Sequence, residues 1–176
     1  MSKRKINLGI IFPNINDWDG GLNYFKTLIT ALALIKDKNF NYKIFSSSQN
    51  KNFIKNIIPK KNIIYVKCLK KYSLSFFLRQ GLQLIYKNDI FLEKILINNR
   101  INIVSHYKPL KTIKSICWIP DLQHKILKKN FSKKEILYRD NLFGKYLSSG
   151  SKVLVSSETT KKKLIKLYKY IDINNL

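Results

Sequence analysis

The stretch WIPDLQHKILKKNFSKKEILYRDNLF (residues 118–143), followed by VLVSSETTKKKLIKLY (residues 153–168), decides how this chain folds. Residues 112–118 read as a strand that opens into a polar loop after Pro120. Ser132-Lys133-Lys134-Glu135 then has capping-box form, in which a serine hydroxyl and a glutamate carboxylate reciprocally satisfy free backbone amides at a helix start. The expected helix covers residues 133–147. Residues 152–157 read as the last strand and residues 158–169 as the last helix, with Ser157 as its cap. Strand, loop, helix, strand, helix is the repeat of a parallel α/β sheet.

The same repeat extends towards the N-terminus. Residues 6–12 form a continuous apolar run ended by Pro13, as expected for a strand buried on both faces of a parallel sheet. A polar loop, residues 14–19, and the pair Gly20-Gly21 lead into a helix on which Leu22, Phe25, Leu28, Ile29 and Leu32 recur at helical spacing. Residues 41–46 and 62–68 read as strands, with a short helix-like stretch at 52–58 that Pro59 helps to end. Ser73 is placed to cap an apolar helix over 74–87; a second helical run at 90–98 precedes a strand over 101–106. The predicted fold class is α/β: a doubly wound, mostly parallel Rossmann-like sheet with helices on both faces, in a single domain over residues 1–176.

Composition agrees with a folded domain, since 45% apolar and 12% aromatic residues are too many for a disordered chain. The formal net charge of +24, from 34 Lys plus Arg against 10 Asp plus Glu, attracts polyanions. The wealth of Lys, Asn and Ile is also what an AT-rich coding bias produces. Cys68 and Cys117 lie in apolar, strand-like runs without metal-ligand spacing and read as reduced core residues of a cytoplasmic protein. The basic start and short apolar run at residues 1–12 lack a cleavage site and fit a first strand better than a signal peptide. No uncharged apolar run is long enough to span a bilayer, so membrane contact is expected only at the periphery of its inner face.

Ligands of open parallel sheets bind beyond the carboxyl ends of the strands, where helix N-termini also point. Gly20 and Gly21 follow the first strand, where absent side chains let backbone amides come close to a phosphate or sugar hydroxyl; a plain turn is the alternative, and the three-glycine dinucleotide fingerprint is absent. His106 ends its strand at the mouth of the crevice, as a contact or as a structural hydrogen-bonding group. Asp121, Gln123 and His124 cluster in the loop after Trp118 and are suited to bind or orient an acceptor's hydroxyls; the alternative has Asp121 capping a turn and His124 solvated. Arg139 and Asp140, adjacent on a helix, point apart and make structural or surface pairs. Glu158 is a first-turn acid favoured by the helix dipole. The basic, aromatic run at residues 67–80 suits nucleic acid or an anionic membrane, and equally a core-facing helix with a lysine flank. No zinc-type spacing, P-loop or nucleophile elbow is present.

Three segments, namely the first strand with its Gly20-Gly21 helix start, the IPDLQH loop with the helix ending in YRDNLF, and VLVSSETTKKKL, together resemble the N-terminal, acceptor-binding half of a family four, GT-B fold glycosyltransferase. The middle of the chain, from about residue 36 to 101, matches only in the order of its elements. The resemblance implies transfer of a hexose from a nucleotide-sugar co-substrate to a glycan or lipid-linked acceptor, as in cell-envelope polysaccharide synthesis. Retained anomeric configuration, no metal and no other cofactor are implied with it. It assigns Gly20 and Gly21 to the loop facing the sugar nucleotide and Asp121, Gln123 and His124 to the interdomain cleft, with His124 and Asp121 as catalytic groups and His106 and Gln123 as substrate contacts. The family's diphosphate-binding cations and paired glutamates belong to a second, donor-binding domain and have no counterparts in these 176 residues. A separately encoded second half is the expected partner, and the chain by itself is expected to be inactive. A truncated remnant or a basic nucleic-acid-binding module are the other readings, with nucleic acid not the expected partner.

Overall fold

A computed structural model describes residues 5–13, 19–55, 57–168 and 172–176. The chain falls into two compact units, Met1–Ser105 with Leu110–Ile113, and His106–Pro109 with Lys114–Leu176.

The first unit carries β1 (Ile6–Ile11), α1 (Asp19–Ala33), β2 (Phe40–Ser46), α2 (Lys51–Ile54), β3 (Ile63–Tyr65), α3 (Leu74–Tyr86), α4 (Ile90–Asn98) and β4 (Ile103–Ser105). Its strands are parallel and ordered β3-β2-β1-β4, with Ile10 opposite Ile44 on one side and Ser105 on the other. The chain moves outward from β1 through β2 to β3, then crosses back to the far side of β1. Because such crossovers are right-handed, the outward and returning helices cover opposite faces. This is the doubly wound, Rossmann-like arrangement the sequence predicts, and its strand order reverses between β1 and β4. Sandwiched strands need apolar residues on both faces, and Ile10, Ile11, Ile44, Phe45 and Val104 are all buried.

The second unit carries β5 (Lys114–Ile119), α5 (Gln123–Ile126), α6 (Lys133–Ser148), β6 (Lys152–Val155) and α7 (Glu158–Leu167). β5 and β6 pair in parallel, Cys117 opposite Val153. Cys117, Ile119, Leu122, Phe143, Val153 and Leu164 close a core between strands and helices. Ser132 and Ser157 cap α6 and α7 by accepting from the amides of Glu135 and Thr160. The capping box is only half made, because the Glu135 carboxylate accepts instead from Arg139 Nη2 at 2.9 Å.

Several expected boundaries move for local reasons. The strand expected over 62–68 stops at Tyr65, and the chain turns at Lys67–Leu69, so Cys68 is buried in a turn and not in a strand. The strand expected over 101–106 begins only at Ile103, since Arg100 takes φ 60° and the Ile101 amide still donates to Leu96 O as the end of α4. His106 leaves it at φ 61°. The helical stretch expected at 52–58 is a single turn that ends well before Pro59.

Candidate functional site

In open α/β sheets ligands bind beyond the carboxyl ends of the strands where the strand order reverses, which in the first unit lies between β1 and β4. α1 begins at Asp19, so Gly20 and Gly21 occupy its first turn, where amides have no intrahelical acceptor. Residues 14–18, most of the expected glycine loop, lie outside the described residues. The strand ends here are polar: Ser46 closes β2 and Ser105 closes β4, both buried, with Ser47 and Asn50 buried just beyond β2. Asn50 Nδ2 donates to Pro13 O at 2.9 Å and to Ser46 Oγ at 3.0 Å, fastening the exit of β1 to the end of β2. Sequence reasoning passed over these groups. The signal was available, as serines that end otherwise apolar strands and are followed by an asparagine.

In the second unit His106 packs its ring against Trp118, centroids 5.1 Å apart, and its amide donates to Ile116 O. Burial penalises the charged imidazole and lowers its pKa to about 4, so it is neutral at physiological pH.

Asp121, Gln123 and His124 do not converge. Asp121 Oδ1 accepts from the Gln123 amide at 3.0 Å and lies 3.7 Å from Arg139 Nη1. Gln123 is exposed at the start of α5. His124 is 0% exposed and turns inward, edge-on to Phe143, with Nε2 3.0 Å from Asp140 Oδ1. It is therefore not solvated, a correction to that alternative.

Asp140, read from sequence only as half of an ordinary pair, is the hub. Its Oδ2 accepts from Lys125 Nζ at 2.6 Å and its Oδ1 from Tyr168 Oη at 3.1 Å. Burial alone would raise its pKa, but hydrogen bonds from Lys125, His124 and Tyr168 outweigh that and hold the carboxyl below its ordinary value. An ionised Asp140 accepts from His124, which places a proton on Nε2. Nδ1 is buried with no hydrogen-bond partner among the described residues. The network fixes the roll of α6 and the C-terminal end of α7, and among the described residues its members are His124, Lys125, Asp140 and Tyr168.

Among the described residues, no group of three or more His, Cys, Asp or Glu side chains is placed to hold a metal ion. Cys68 and Cys117 are free thiols, both buried, and burial pushes the Cys117 thiol up to about 12.

The fold defines a parallel, Rossmann-like α/β protein. No family model, no curated protein and no solved structure matches the chain.

Proposed function

We propose that the chain is the acceptor-binding half of a GT-B glycosyltransferase, which moves a sugar from a nucleotide-sugar donor to a glycan or lipid-linked acceptor with a second, donor-binding half. The observation that carries this reading is the strand-order reversal of the first unit, with the Gly20-Gly21 turn of α1 at one end of it and the polar strand ends Ser46, Asn50 and Ser105 around it. The first-turn amides of α1, which lack intrahelical acceptors, are groups of the kind that recognise phosphate. Gly20 and Gly21 approach the donor through their backbone. Asp121 and Gln123, the accessible members of their cluster, orient acceptor hydroxyls. His124 acts as a positioning residue that sets α5 against Asp140, and His106 contributes a neutral imidazole as a hydrogen-bonding contact.

The test pairs the chain with a donor-binding domain expressed from the neighbouring coding sequence. Transfer of labelled sugar from UDP-glucose, UDP-N-acetylglucosamine and GDP-mannose into a lipid and glycan extract is followed. Asp121→Ala, which removes a partly exposed side chain, is expected to lower transfer while the folded signal is kept. Unchanged turnover sinks the assignment of Asp121, and absence of transfer from every donor sinks the reading itself.

A further inference from the structure

Helix α3 is mounted inside out. Its single arginine points inward: Arg79 is 6% exposed, Nε donates to both carboxylate oxygens of Asp89 at 3.1 and 3.0 Å, Nη2 donates to Oδ2 at 2.7 Å, and Nη1 donates to Cys68 O at 3.2 Å. The opposite side, at helical spacing i, i+3, i+4, i+10 and i+11, carries Leu74, Phe77, Leu78, Leu84 and Ile85. Leu74, Leu84 and Ile85 are 87%, 82% and 73% exposed, and Phe77 and Leu78 are each 57% exposed. The sequence-based alternative of a core-facing helix is therefore reversed: it is the apolar stripe that faces out. A helix cannot roll such a stripe inward while a buried bidentate ion pair holds its other face.

The surroundings select the partner. Exposed Lys67, Lys70 and Lys71 precede the helix and exposed Lys87 follows it, with Tyr72 at 82% exposure beside its start. Residues 38–88 contain eleven Lys and Arg and no acidic residue. The next two acids, Asp89 and Glu93, are both buried, the first on Arg79 and the second on Thr112 and Asn88. No carboxylate of this stretch softens the positive rim. An aliphatic stripe bordered by lysines, on a helix too short to span, is the pattern of an element that lies in the plane of a bilayer surface. Nucleic acid does not account for four of the five stripe residues, Leu74, Leu78, Leu84 and Ile85, because aliphatic side chains offer bases no stacking platform.

We infer that the outward face of α3 is a docking surface for an anionic lipid bilayer, with Leu74, Leu78, Leu84 and Ile85 entering the acyl boundary and the flanking lysines meeting lipid phosphates. The inference is independent of the sugar-transfer reading.

The test is flotation of the full chain with vesicles of phosphatidylcholine alone or mixed with phosphatidylglycerol, beside its mass in solution by light scattering. The expected results are flotation with the anionic vesicles only, weakened by salt, lost in Leu78→Asp/Ile85→Asp, and weakened about fivefold for each of Lys70→Gln and Lys71→Gln. The replaced apolar residues are exposed, so the variants keep the folded circular-dichroism spectrum. Absence of flotation, or flotation unchanged in Leu78→Asp/Ile85→Asp, overturns the inference. So does a lipid-free dimer that the double variant dissociates, which makes the stripe a contact between copies, or retention on RNA without flotation.

Discussion

Arg79 and Asp89, ten residues apart, form a buried bidentate ion pair that sets the rotation of α3 about its own axis. Asp89 Oδ1 also accepts from the Leu92 amide at 3.3 Å, so the same carboxylate that holds α3 caps α4. Removing one member of such a pair leaves the other charge buried. Arg79→Met is expected to cost about 3–5 kcal/mol, read as a fall in the urea midpoint. Arg79→Met combined with Asp89→Leu is expected to cost less than the two single changes added together, because the stranded charge disappears.

The close approach of β1 to the start of β4 depends on Gly9. A Cβ built there lies 2.9 Å from Ile101 Cγ2 and 3.3 Å from Phe45 Cε2. Gly9→Ala is therefore expected to destabilise by about 1–3 kcal/mol through overpacking, whereas Gly81→Ala, with nothing within 4 Å of its Cβ, is not. Equal denaturation midpoints for the two variants contradict this.

Asp140 titrates below its ordinary value of 3.8 when folded. A lowered carboxyl gives stability that is present above the unfolded value and is lost as pH falls through the folded one. Asp140→Asn is expected to show a shallower fall of stability in that acid range than the parent protein, together with lower stability near neutrality. Parallel acid profiles contradict the assignment of the network.

His106 runs in the opposite chemical sense with the same direction of pH dependence. Its folded value of about 4 lies below the ordinary 6.5, so folding favours the neutral ring. Its contribution is complete above 6.5 and is lost as pH falls from there towards about 4. A ring-proton NMR titration is expected to give a midpoint near the lower value; a midpoint at the ordinary value contradicts the burial argument.

The fold was legible because its signals are local. Ser73, Ser132 and Ser157 announce helix starts that the structure keeps, and the apolar run after Lys5 reads as a strand whose second half, Gly9 to Ile11, is buried. The ends of elements were less so, since Arg100 and His106 take left-handed φ values that no local pattern in these residues announces. The side chains of the candidate site were least legible. His124 and Gln123 are neighbours in sequence, yet one is sealed against α6 and the other exposed, and that division depends on Asp140, sixteen residues beyond His124. Likewise the apolar spacing of α3 reads as a core face until the long-range partner of Arg79 is known.

The central claim, that the strand ends at the β1–β4 reversal face a nucleotide-sugar held by the donor-binding half, is tested most directly by backbone-amide NMR of the chain in complex with that half during titration to millimolar UDP-glucose, UDP-N-acetylglucosamine and GDP-mannose. The account predicts that at least one of them shifts the amides of Gly20 and Gly21 together with those of Phe12 and Ser105. Silence from all three, or shifts confined to residues away from these strand ends, contradicts it.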